Sequence, residues 1–167
     1  MTGAAVDTQA GLNAAARAAA RCRAGWLARV KITDPESGKI VPELFEAEMA
    51  KVLQGQVLPV MPAQPEPATV ADVLRAAGTK EYRPLLRIRL GMLLRYQPGW
   101  GKGKAEAVVD HVLSVTGAKL DRRLVNVGWL LDPRAGGRRY TAWLDALEPK
   151  KDPPWSGFPH TRSCSVD

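Results

Sequence analysis

The chain is poor in what several functional classes require. Two cysteines, Cys22 and Cys164, stand near opposite ends of 167 residues. That spacing gives neither a zinc-type cluster nor a disulfide framework, so two reduced thiols are expected. The two histidines, His111 and His160, are equally isolated, and a lone histidine is more often structural or exposed than catalytic. Aromatic residues make up only 6% of the chain, with no aromatic-rich strand of the kind that stacks single-stranded bases. No apolar run approaches membrane-spanning length. The opening "MTGAAVDTQAGLN" has no basic stretch followed by an apolar core. A cytoplasmic protein with no membrane partner is the expectation. Alternation of apolar and polar residues is also missing over any useful length, so the expected class is all-α.

What is present is charge, and it is unevenly placed. The formal net charge is +7. Residues 1–79 hold 8 Lys/Arg against 8 Asp/Glu, and residues 151–167 hold 2 against 2. The stretch from Lys80 to Lys150 holds 14 against 7 and so carries the whole excess. A basic block in a balanced chain points to a polyanion, nucleic acid first, although a solvated face is the plainer alternative.

Four segments follow from the punctuation. Residues 1–33 read as a loose tail to residue 11 and then a basic, alanine-rich helix, Leu12 to Lys31, weakened at Gly25. Leu12, Ala19, Trp26, Leu27 and Val30 fall on one side of it; Arg17, Arg21 and Arg29 fall on the other, while Arg23 sits on the apolar side. Residues 34–68 hold the turn "DPESGK", a short acidic helix from Pro42 to Leu53, and the proline-rich linker "PVMPAQPEPA". The acidic part, residues 34–57, is a poor DNA face and a candidate for a protein partner. Residues 69–150 form the compact part. Thr69 is placed to N-cap a helix with Asp72 in the capping box and Gly78 as its stop. Pro84 opens a helix expected to carry Leu85, Ile88, Met92 and Tyr96 on one stripe. Ala105, Val108, Val109 and Val112 make the apolar face of the next helix, which Gly117 ends, with Glu106 and Asp110 on its solvent side. A last helix is expected from Gly137 to Leu147, and residues 151–167 as a flexible tail.

The segment "PGWGKGKAEAVVDHVL" carries the chemistry. Gly99, Gly101 and Gly103 omit side chains that would hold a sugar-phosphate strand away. Free N–H groups at a helix start donate to phosphate oxygens. Lys102 and Lys104 stand where the helix dipole disfavours cations, which an external anion would relieve. An ordinary helix turn with exposed lysines remains the alternative, and Trp100 suits the core as well as DNA. In "DRRL", Arg122 and Arg123 are adjacent and cannot both face a core. One can reach phosphate or a groove, unless Asp121 or Asp132 pairs with it.

Taken in order, "VADVL", "LLRIRLGMLLRYQPGWGKGKAEAVVDHVL", "DRRLVNVG" and "RRYTAWLDAL" resemble the actinobacterial integration host factor family. The resemblance is good over residues 69–147 and loose over 12–31. It implies a nucleoid-associated, DNA-bending protein with a helix-two-turn-helix domain behind a basic N-terminal helix. It further implies phosphate contacts at Gly101, Lys102, Gly103 and Lys104, and minor-groove approach by Arg122 and Arg123. Lead-helix contacts from Arg17, Arg21 and Arg23 are implied as well, and Trp100 and Asn126 complete the candidate set. The acidic helix, the linker and the tail have no counterpart in that pattern. The loop "SVTGAKLD" before the arginines is longer than the pattern.

Two other readings compete. Helix-two-turn-helix domains also occur in ribosomal proteins, which makes structured RNA a possible ligand. They occur in DNA glycosylases too, but that chemistry needs an N-terminal proline or a lysine paired with a carboxylate in a cleft. The chain opens "MTG", Glu106 and Asp110 are expected on the solvent side of a helix and not in a cleft, and His111 and His160 are isolated, so neither a catalytic residue nor a cofactor nor a metal is expected.

Overall fold

The computed structural model describes residues 3–55 and 66–148, with side chains from Thr8 onward. Most of the proline-rich linker, the C-terminal tail, Cys164 and His160 lie outside the described residues. The fold is all-α: α1 (Gly3–Ile32), α2 (Pro42–Leu53), α3 (Val70–Ala77), α4 (Leu90–Tyr96), α5 (Lys102–Thr116), α6 (Val127–Leu130) and α7 (Arg138–Leu147). Short 3-10 turns at Arg83–Arg87, Arg122–Leu124 and Pro133–Ala135 join them. Two isolated bridges, Thr33 with Ile40 and Arg89 with Asn126, are the extended pairings among the described residues.

The core is built where the apolar spacing demanded it. Ala105, Val108, Val109 and Val112 of α5 are all buried. They meet α4 and α7, whose Trp143 is one of the most deeply buried large side chains. Leu27 and Val30 at the end of α1 belong to the same core as residues 68–143, so the lead helix docks onto the compact part by its last two turns. Trp26 of α1 meets the Tyr82 ring edge-on at 5.4 Å. The α3 start is as expected: Thr69 accepts from the Asp72 N–H while the Asp72 carboxylate accepts from the Thr69 N–H. Gly117 closes α5 in the left-handed region at φ 66.

Three sequence expectations are corrected. The segment to residue 11 is not a loose tail, because α1 begins at Gly3. Good helix formers around Gly11, Ala10 and Leu12 beside it and Ala14 to Ala16 beyond, support the helix through it. Leu12 is 60% exposed, since the first half of α1 runs beyond the core and none of the described residues covers its apolar stripe there. The helix expected after Pro84 is broken in two. Ile88 and Arg89 are extended, the Leu90 N–H donates to the Val125 carbonyl at 3.0 Å and the Val127 N–H to that of Ile88 at 2.9 Å. A short two-stranded pairing there replaces a helical turn, which turns Met92 outward to 39% exposure.

The acidic insertion leaves and rejoins the fold at one place. Buried Thr33 accepts from the Ala68 N–H at 3.0 Å, and Arg29 donates to the Glu66 carbonyl at 2.8 Å. Between these anchors α2 packs on α1. Its buried Glu48 holds Lys31 at 2.6 Å and Lys51 at 2.8 Å.

Candidate nucleic-acid interface

Three elements converge on a basic cleft of about 460 Å³. α4 contributes Arg89 at its N-cap, Gly91, Met92 and Arg95; α5 contributes Lys102, Ala105, Glu106 and Val109; the Arg122–Leu124 turn contributes both arginines. Five cations therefore face one carboxylate. The guanidiniums of Arg89, Arg95 and Arg123 have no ion-pair or hydrogen-bond partner among the described residues. Lys102 reaches Glu106 only at 3.9 Å, on an exposed face, where such a pair contributes little. Arg122 is held at 3.1 Å from Glu106 and 3.4 Å from Asp110. These two acids lie on the solvent side of the helix as expected, and from there they orient one arginine of the pair. Neither Asp121 nor Asp132 pairs with it. The Asp121 carboxylate accepts from the Arg123 N–H at 2.8 Å and caps the turn.

The turn before α5 has the features of an anion seat. Gly99 has φ 76 and needs glycine for its backbone alone. Gly101 and Gly103 do not. Gly101 has φ −84, Gly103 lies in the helix, and a Cβ built at either would meet nothing within 4 Å. None of the described residues asks for glycine at these two positions, and Gly103 costs α5 about 0.5–1 kcal/mol against alanine. No side chain caps α5, and the N–H groups of Lys102, Gly103 and Lys104 find no acceptor among the described residues. The α5 start is therefore bare on this side among the described residues.

The candidate residues are only partly brought together. Lys102, Arg122 and Arg123 line the cleft, with Gly101 and Gly103 beside it. Lys104, two residues on, faces the other way, its Nζ 4.1 Å from the centre of the Trp100 ring. Both line a separate, more apolar hollow with His111, Asp145 and Leu147. Trp100 is half-buried against the core. Asn126 is also half-buried, and its side-chain oxygen accepts from the Trp129 N–H at 2.8 Å, capping α6. Arg17 and Arg21 are exposed and Arg23 half-buried on α1, none of them at the cleft. Sequence reading missed Arg89 and Arg95. Their signal was the local one in "RIRLGMLLRY", hidden because an unbroken helix was assumed.

Among the described residues no group of His, Cys, Asp and Glu could hold a metal, and no helix is long and apolar enough to cross a membrane. His111 meets Asp145 of α7 at 2.8 Å, an exposed link between helices. Compared with family models, curated proteins and solved structures, the chain matches none.

Proposed function

We propose that this chain is a non-enzymatic architectural protein that binds double-stranded DNA through its phosphates, with weak sequence preference, and bends it. The observation that supports the reading best is the cleft: five cations from three elements around one carboxylate, three of them with no partner among the described residues. A cleft lined by one sign of charge concentrates field and attracts a polyanion. Planar guanidiniums suit phosphate oxygens, which two N–H groups can grip at once. The bare α5 start beside the cleft adds backbone donors where a strand can come close. Lys104 faces away from the cleft over the Trp100 ring and is not among its cations.

A labelled short duplex titrated with the full chain, alongside a structured RNA of equal charge, tests this. Tighter binding to duplex DNA is expected, with amide protection at residues 89–95, 98–104 and 121–124. Absence of duplex binding in dilute buffer would overturn the reading, and preference for the RNA would move it to a ribosomal or RNA-binding role.

A further inference from the structure

We infer that Leu124 is a wedge that enters between stacked base pairs and kinks the duplex, an inference that rests on the DNA-binding reading. Leu124 is 61% exposed. An exposed leucine is unremarkable alone, so its setting carries the argument. It follows Arg123, whose guanidinium has no partner among the described residues, and Arg122, which Glu106 and Asp110 hold in place. The turn that bears it is fixed on both sides. The Leu124 N–H donates to the Asp121 carbonyl at 2.9 Å, and the Asp121 carboxylate caps Arg123. The next residue, Val125, is fully buried, and its carbonyl accepts from Leu90. An apolar tip is therefore presented from a rigid one-turn element, with a guanidinium beside it.

That combination suits the minor groove. The groove is too narrow for a helix but admits a tight turn, its negative potential draws arginine, and architectural proteins kink DNA there by inserting apolar side chains between base steps. Met92, exposed in the cleft, is a further apolar side chain near the arginines of this turn, while Leu124 itself stands next to the cleft-lining Arg123. Leu144, also exposed, lies on α7 outside the cleft. The wedge fixes where deformation is cheapest: flexible pyrimidine–purine steps should be bound better than stiff A-tracts.

The test uses the full chain and duplexes carrying end dyes for energy transfer and one 2-aminopurine beside a central TA step. Wild-type protein should shorten the end-to-end distance and raise the 2-aminopurine fluorescence. Leu124→Ala should abolish both signals and the preference for TA over A-tract duplexes, while A-tract affinity stays within a few-fold. Leu124→Phe should retain the bend, and Leu144→Ala should leave every signal unchanged. Binding without unstacking by the wild type, or unstacking retained in Leu124→Ala, would overturn the wedge and leave the DNA-binding reading standing. Failure of the wild type to bind any duplex would overturn both.

Discussion

Two regions of this chain carry comparable runs of cations and use them differently. At the junction of α1 and α2, three cations are spent internally: Lys31 and Lys51 share Glu48, and Arg29 lies over the Trp26 ring and holds Glu66 and its carbonyl. At the cleft between α4, α5 and the Arg122–Leu124 turn, Arg89, Arg95 and Arg123 have no counterpart among the described residues. Charge counted along the chain shows only that the second region is richer. Pairing separates them further: the ion pairs of the first tie α1 to α2 and to Glu66, whereas three cations of the second have no partner among the described residues.

The sharpest way to break this contrast is to reverse two cleft charges together. Arg95→Glu with Arg123→Glu should weaken duplex binding by roughly 100-fold. Both residues are exposed, so stability in urea should change by no more than about 0.5 kcal/mol. An unaltered affinity would remove the cleft from the site. At the other region, Glu48→Ala should cost about 1–2 kcal/mol of stability and leave duplex affinity as it was, since two half-exposed lysines lose their shared partner. A large rise in affinity would instead mean that α2 shields a DNA surface. Burial works against the charged Glu48, but hydrogen bonds from Lys31 and Lys51 outweigh it and hold the carboxyl below its usual range. A depressed acid stabilises above its unfolded pKa, so this contribution is lost as pH falls below about 4. Acid titration of unfolding should therefore be shallower in Glu48→Ala.

Smaller effects refine the cleft itself. Gly103→Ala should stabilise the chain by about 0.5–1 kcal/mol, because its Cβ meets open space in a helix. It should weaken duplex binding several-fold by keeping the strand away. Tighter or equal binding would show that this glycine serves nothing outside the protein. Smallest is Glu106→Gln, which frees Arg122 from its nearer acid and should tighten duplex binding roughly two- to threefold, as expected for an exposed ion pair. Weaker binding would mean that Glu106 is needed to aim Arg122.

Much of the fold was legible because it rests on local signals. The capping box at Thr69, the apolar face of α5 and the glycine at its end are fixed by residues three or four apart. The acidic helix was legible to its bounds for the same reason, Pro42 opening it and Gln54 and Gly55 following it. What was not legible depends on distant partners. The break at Ile88 and Arg89 is made by Val125 and Val127, almost forty positions on, and no periodicity in "RPLLRIRLGMLLRY" reports that. The break in turn carries Arg89 to the cleft. Similarly, the separation of Arg122 from Arg123 required Glu106 and Asp110 to lie beneath the turn. Lys102 and Lys104 looked equivalent in a glycine-rich string, yet two helical positions put them on opposing faces, and only Trp100 shows where the second one goes.

The most direct measurement is duplex affinity over a salt series. Five cleft cations that displace counterions give a slope of log K against log salt of about −4.5, falling toward zero in Arg95→Glu with Arg123→Glu. A flat response in the wild-type chain, or the same slope in the reversed variant, would contradict the account.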